Sequence, residues 1–246
     1  MLHIQGKKKL KAIYFVLLNI LYTCTYTSVF AQQRELYQTD HDAKAYYFGI
    51  TLGGNMARFQ MEPHPRFLQY DTVLVAEPLN AGGFALGLSA TTKLSNRFEA
   101  RINPQLMFTE RSIFYKLKYN DPLDGTDVTK KVESVIFTLP FQIKFNSDRI
   151  GNFRVYMLGG VKTEIDLAAN ARARRAEDLV KLEKSDYGIE LGMGFNFYFP
   201  SFILSPEIKL SNGIRNIHGR DENLKYSNVI DRIQSRMIVF SIHLEG

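Results

Sequence analysis

A chain of 246 residues suits one large all-β domain or at most two small ones, and 23% charged with 13% aromatic residues is not a disordered composition. The formal charge of +6 is misleading, because residues 1–31 hold four lysines and no acid, leaving 27 basic against 25 acidic residues in the remainder. That near-balance lacks the clustered basic surface that nucleic acid requires, so no nucleic-acid partner is expected.

The chain begins as a secretory signal peptide does. Lys7, Lys8, Lys9 and Lys11 form a positive n-region. Ile13, Tyr14, Phe15, Val16, Leu17, Leu18, Ile20 and Leu21 form the apolar core, and Val29-Phe30-Ala31 fits a cleavage site. Residues 1–31 are expected to be removed, with the mature chain starting near Gln32. The apolar run falls short of the ~20 residues a spanning helix needs, which argues against an uncleaved anchor. Cys24, the single cysteine, lies inside this segment, and Tyr22 and Thr23 before it fit lipidation poorly. The mature chain therefore has no thiol chemistry. Residues 32–43 read as a short polar lead on the periplasmic side.

From residue 44 onward the recurring signal is alternation, the period of a strand with two unlike faces. The first candidate strand, about 45–58, places Tyr46, Phe48, Ile50, Leu52 and Met56 on one face. The second, about 83–94, carries Phe84, Leu86, Leu88, Ala90 and Leu94. The third, about 97–112, carries Phe98, Ile102, Leu106 and Phe108. The fourth sets Val135, Phe137, Leu139, Phe141, Ile143 and Phe145 against Ser134, Thr138, Gln142, Lys144 and Asn146, with Ile136 and Pro140 as exceptions. The fifth, about 152–165, carries Phe153, Val155, Met157, Val161 and Ile165. The sixth is the cleanest: Tyr187, Ile189, Leu191, Met193, Phe195, Phe197 and Phe199 oppose Asp186, Gly188, Glu190, Gly192, Gly194, Asn196 and Tyr198. The seventh sets Phe202, Leu204, Pro206, Ile208 and Leu210 against Ser205, Glu207, Lys209 and Ser211. The eighth sets Ile238, Phe240, Ile242 and Leu244 against Ser235, Ser241, His243 and Glu245.

Eight such strands over residues 44–246 predict an all-β fold, an eight-stranded antiparallel transmembrane barrel. The connections alternate. Ser95-Asn96, Asn146 to Asn152 and Pro200-Ser201 are short, while 59–82, 113–132, 166–184 and 214–233 are long. Short turns at one end and long loops at the other match an outer-membrane barrel with periplasmic termini. Phe98, Phe145, Phe153, Phe199, Phe202 and Tyr46 lie beside the short turns, as an interfacial aromatic belt would.

A soluble lipocalin-like barrel also has eight strands, but it turns bulky apolar residues inward and charge outward. Here the polar face carries Glu99, Arg101, Lys144, Arg154, Lys162, Glu164, Glu190, Glu207 and Lys209, interleaved with glycines. Eight strands enclose a space just wide enough for side chains, which suits small residues and paired charges inside and Phe, Leu and Ile against lipid. The inward charges read as a salt-bridge network that plugs the lumen, the other reading being an ion path.

No catalytic constellation emerges, so an enzyme is not expected, and neither is a cofactor. His41, His64, His218 and His243 show no metal-ligand spacing. Gly192-Met193-Gly194 alternates along a strand and is no phosphate loop. Two loops are candidate interaction segments. Residues 166–184 combine helix-favouring alanines with Arg172, Arg174 and Arg175, a site for an acidic partner or lipopolysaccharide phosphate, or a solvated loop helix. Residues 214–232 carry Arg215, His218, Arg220, Tyr226 and Asp231, either for a partner or to hold the last two strands in register.

The stretches 205–217 (SPEIKLSNGIRNI) and 226–246 (YSNVIDRIQSRMIVFSIHLEG) resemble the PorT family of the Bacteroidetes. The segment 134–144 (SVIFTLPFQIK) resembles Bacteroidetes outer-membrane barrels more broadly. The resemblance implies an integral outer-membrane protein required by type IX secretion, and by gliding motility where present, with other secretion components and outer-membrane lipid as partners. It supplies no catalytic residues. The chain departs from many outer-membrane barrels by ending Leu244-Glu245-Gly246 rather than on an aromatic. A small OmpX- or OmpA-like barrel, acting as adhesin or surface-stability protein, is the alternative.

Overall fold

The computed structural model describes residues 35–65, 67, 73–121, 125–169, 182–219, 226 and 229–246. The signal peptide expected over 1–31 lies outside them. A short helix, α1 (Thr39–Ala43), precedes ten strands: β1 (Tyr46–Pro63), β2 (Val73–Leu79), β3 (Ala81–Lys93), β4 (Phe98–Ile102), β5 (Gln105–Asp121), β6 (Gly125–Asn146), β7 (Phe153–Asp166), β8 (Ser185–Tyr198), β9 (Ile203–Gly213) and β10 (Ile230–Glu245). All pair antiparallel. β1 bonds β10 on one side (Gly49↔Glu245 to Pro63↔Ile230) and β3 on the other (Tyr46↔Thr92 to Ala57↔Ala81), so the sheet closes on itself.

The ten strands make eight staves. β2 and β3 are one stave interrupted at Asn80, since both pair with β5. β4 and β5 are another, interrupted at Asn103-Pro104, since both pair with β3 and β6. Pro104 has no N–H to give the ladder, which breaks the stave there. Its carbonyl still accepts from the Leu88 N–H at 3.0 Å, and the Asn103 N–H reaches the Pro140 carbonyl at 3.4 Å. Closure matters because lipid supplies no hydrogen bonds to an open strand edge.

The outward face is an apolar band. On β1 it runs from Tyr46 to Met56, on β6 from Phe145 to Val135, and on β10 from Leu244 to Ile238. On β1 and β6 that is ten residue steps, which at about 3.3 Å each and a tilt of about 40° give a height of about 25 Å, the hydrocarbon thickness of an outer-membrane barrel. The short-turn edge carries exposed aromatics that touch in pairs, Phe98 with Phe145 at 5.2 Å and Phe199 with Phe202 at 5.0 Å.

Two expected long loops are corrected. Most of 59–82 and nearly all of 113–132 are strand: β1 continues to Pro63, β2 starts at Val73, and β5 and β6 extend to Asp121 and from Gly125. In these extensions the chemistry of the two faces is reversed. Outward positions turn polar (Arg58, Gln60 and Glu62; Glu133 and Lys131; Arg236 and Gln234), while inward positions turn apolar. Phe59, Ile113, Tyr115, Val132, Ile230 and Ile233 join one buried cluster. A barrel leaving lipid for water must bury its apolar side chains inside, as a soluble barrel does. The chain thus carries a water-facing turret on top of its lipid-facing wall.

Candidate functional site: a charge-paired lumen

Glu207 on β9 is the hub of the lumen. Its carboxylate lies 2.6 Å from Arg101 of β4, with both side chains fully buried. It accepts from the Tyr156 hydroxyl at 2.8 Å, and His243 and Lys209 lie at 3.5 and 3.7 Å. Arg101 also donates to Gln142 Oε1 at 2.8 Å, and Gln142 in turn donates to Glu190 at 2.5 Å. Glu190 accepts from Ser211 at 3.2 Å and faces Lys209 at 3.8 Å. Nearer the short turns, Glu99 accepts from the Tyr47 hydroxyl at 2.8 Å and pairs with Lys144 at 3.5 Å. Lys144 sits 4.3 Å over the Tyr156 ring. Lys162 and Glu164 pair at 2.6 Å.

Alternation puts these charges on the inner face, and glycines make room for them. An added Cβ on Gly194 would stand 2.4 Å from the Tyr156 ring, and one on Gly192 2.8 Å from Lys209 Cγ. Two of the ion pairs, Lys162–Glu164 and Lys209–Glu207, are the same-strand pairs that i,i+2 spacing invites, and the others are not. Arg101 pairs across the lumen with Glu207, not with Glu99; Lys209 is shared between Glu190 and Glu207. Arg154 is the exception among the nine inward charges: it sits at the short-turn mouth, 3.4 Å from Asp42 of α1.

That mouth is closed by the segment expected as a plain polar lead. His41 of α1 is buried with its ring 4.4 Å from Tyr47 and 6.4 Å from Tyr198. Arg149 from the β6–β7 turn clamps it, bonding Asp42 at 3.0 Å and the Tyr37 carbonyl and lying 3.7 Å over the Tyr198 ring. Gln38 donates to the Pro200 carbonyl at 2.8 Å, and Lys93 donates to the His41 carbonyl. Burial, then the Lys93 ammonium, pushes the His41 imidazole down to about 4.

Toward the long-loop end the lumen narrows to an apolar belt of Ala57, Ala85, Met107, Ile136, Met237 and Val239. Ile136, an exception to the outward pattern, belongs to that belt. Above it Arg111, 4.7 Å over the Phe59 ring, donates to Ser134 at 2.8 Å and lies 4.0 Å from Asp166. The buried apolar cluster of the turret lies beyond it. Among the described residues, each of the lumen cations Arg101, Arg111, Lys144, Lys162 and Lys209 lies within 4.0 Å of a carboxylate.

The candidate loop residues scatter. Arg215 donates to the Ser185 hydroxyl at 2.7 Å, tying the base of its loop to β8. His218 is buried, and its N–H donates to Asn216 Oδ1. Tyr226 is a correction: it is a core residue, its ring centroid 4.9 Å from that of Tyr115 and tilted by 52° within the turret. Asp231 is exposed. Arg172, Arg174, Arg175 and Arg220 lie outside the described residues. Tyr47, Arg111, Gln142, Tyr156 and the α1 lid were missed as site elements; only the inward parity of the four side chains could have flagged them.

The sequence matches the model of the outer membrane protein beta-barrel domain over residues 30–219. No curated protein matches it. Solved structures similar to this chain include Neisserial surface protein A (NspA), at 11% identity over 80% of this chain and 96% of that one, TM-score 0.41. OprG from Pseudomonas aeruginosa follows at 12% identity, 80% and 94% coverage and TM-score 0.42. Ail, the attachment invasion locus protein of Yersinia pestis, crystallised with the heparin analogue sucrose octasulfate, is similar at 11% identity, 82% and 100% coverage and TM-score 0.38. The family model covers well over half of the sequence, and the chain belongs to the outer membrane protein beta-barrel domain family.

Proposed function

We infer that this barrel serves as a sealed accessory component of type IX protein secretion in the outer membrane, with its termini in the periplasm and its turret on the cell surface. The observation that supports the reading is a lumen filled by the α1 lid at one mouth, the charge network and the apolar turret cluster. A wall facing lipid and a filled lumen leave the two ends as working surfaces, and loops on a rigid scaffold are where binding residues lie. The partner class comes from the resemblance of 205–217 and 226–246 to the PorT family. Deleting the gene is expected to abolish export of cargo bearing the type IX C-terminal domain. Replacing 219–225 with a Gly/Ser linker, which spares Ile217 and Tyr226 in the turret, is expected to leave the barrel inserted and stop export. Normal export from the deletion strain refutes the secretion role. A second reading, a surface adhesin or stability protein of the small-barrel kind, is supported by the turret itself, a rigid platform raised above the lipid. It predicts lost attachment or envelope integrity with export intact.

A further inference from the structure

The edge of the apolar band at the turret side carries an arrangement that costs stability with no return inside the protein. Arg58 of β1 and Arg236 of β10 are directly opposite cross-strand partners, both exposed on the outer face. They stand one rung above Met56↔Ile238, the last apolar pair of the band on these strands. Like charges directly opposite on a sheet are destabilising. Among the described residues neither arginine has a carboxylate partner; the one bond made by the pair is Arg236 Nε to Asn212 Oδ1 at 3.3 Å. The next charged rung is compensated, Arg232 reaching Glu62 at 3.9 Å.

The far side of the barrel shows the contrast. Glu110 and Glu133 are also directly opposite at the band edge, but Lys131 lies 3.2 Å from Glu110 and Ser112 donates to it at 3.2 Å. The barrel balances its acidic pair internally and leaves the basic pair open. Two guanidinium forks with Cα atoms about 5 Å apart, at the height where hydrocarbon gives way to headgroups, suit a phosphate bridging both. The apolar wall beneath, Leu52, Met56, Ile238 and Phe240, suits the acyl chains on the same molecule.

We propose that Arg58 and Arg236, with Asn212, form a lipid-phosphate site on the outer wall of the barrel, whose occupant is a phosphate of lipid A in the outer leaflet. The phosphate neutralises the opposed arginines, so the lipid both binds to and stabilises the inserted barrel. The inference rests on the placement of the turret on the cell surface.

Purified protein in neutral detergent is titrated with diphosphoryl lipid A, with the same lipid stripped of its phosphates, with phosphatidylglycerol and with inorganic phosphate, following thermal stabilisation and bound lipid by native mass spectrometry. The wild type is expected to retain lipid A over the other three. Arg58→Gln/Arg236→Gln is expected to weaken it about tenfold or more, while melting no lower than wild type without lipid because the repulsion is gone. The single variants give the same comparison should the double variant fail to insert, and Lys131→Gln on the far side is expected to bind as wild type. Undiminished lipid A binding by the variants overturns the site, as does equal binding of the stripped lipid. Phosphatidylglycerol or free phosphate binding as tightly as lipid A overturns the occupant. Orientation is read separately by labelling Lys118→Cys in the turret on intact cells. Absence of labelling refutes the surface placement and the lipid A occupant with it; lost selectivity with labelling intact refutes the site alone.

Discussion

The Arg101–Glu207 pair gives the sharpest test of the lumen network, because its two halves are unequally supported. Glu207→Gln keeps the shape and removes the charge. It leaves the Arg101 guanidinium with the neutral Gln142 Oε1 at 2.8 Å, and Lys209 with Glu190 at 3.8 Å. Orphaning a buried charge in this way costs about 3–5 kcal/mol. Arg101→Met is gentler, since Glu207 keeps the Tyr156 hydroxyl at 2.8 Å, His243 at 3.5 Å and Lys209 at 3.7 Å. Its loss is that of one charge-assisted hydrogen bond, about 1.5–3 kcal/mol. The double variant has no stranded guanidinium, so it is expected to be more stable than the sum of the singles by about 2 kcal/mol. The assay is urea unfolding in phospholipid vesicles, read by the heat-modifiable gel mobility of the folded barrel. Asp148→Asn, which breaks the exposed Arg97–Asp148 pair at 3.0 Å, is the control and should cost under about 1 kcal/mol. Additivity of Arg101→Met and Glu207→Gln within about 0.5 kcal/mol refutes the coupled network.

Leu191 points outward with 60% exposure, and Leu191→Arg is expected to lower the inserted fraction in a membrane-fraction assay, at a cost of about 2–4 kcal/mol; normal insertion refutes the assignment of faces. Gly194→Val drives Tyr156 off Glu207 and destabilises the barrel, whereas Gly54→Ala, whose Cβ meets nothing nearer than Gly83 O at 3.8 Å, melts close to wild type. The α1 lid is expected to be pH-sensitive: burial, then Lys93 and Lys44, lower the His41 pKa while Glu245 and Glu99 oppose them, so an undocked lid takes up a proton from about 6.5 downward while a docked one does so only near 4. Docking is therefore full above about 6.5 and weakens toward 4, and amide exchange over 39–44, corrected for its intrinsic pH dependence, should rise across that window in wild type and stay flat in His41→Leu. Planar bilayers with the barrel, with or without residues 36–43, are expected to show no stable porin-like current, because the lid is one of three seals; a steady current refutes closure.

Periodicity carried the fold up to the point where its own premise fails. Within the band, β8 and β10 are legible residue by residue because one face meets lipid throughout and the other never does. At Arg58, Glu133 and Arg236 the surroundings of the outer face change from lipid to water, so the apolar set moves to the opposite parity. A reading that follows apolar residues on one fixed parity loses the strand there and reports a loop, as it does for 59–82 and 113–132. The strand itself continues unbroken, β6 running from Gly125 to Asn146. The reversal of parity is thus the mark of the membrane boundary, visible in the sequence once both phases are followed.

The site was legible in its membership and only partly in its pairing: Glu207–Lys209 follows from spacing along one strand, Arg101–Glu207 does not. Parity alone assigns Glu99, Arg101, Glu207 and Lys209 to the lumen. Which of them touch across strands depends on the stagger between staves, and alternation within one strand says nothing about stagger. Strand closure brings Arg101 to Glu207, 106 residues away in sequence. The lid was illegible for another reason: a five-residue helix has too few turns for a periodic signal, and its buried contact is a single histidine held by Tyr47, Tyr198 and Arg149-anchored neighbours from distant turns. The signs that bear on it were local and ambiguous in isolation, a histidine beside two aspartates and an arginine in a short turn. Their meaning is set by the barrel mouth, whose turns converge only when β1 meets β10, so the lid is a consequence of closure and reads as plain polar chain without it.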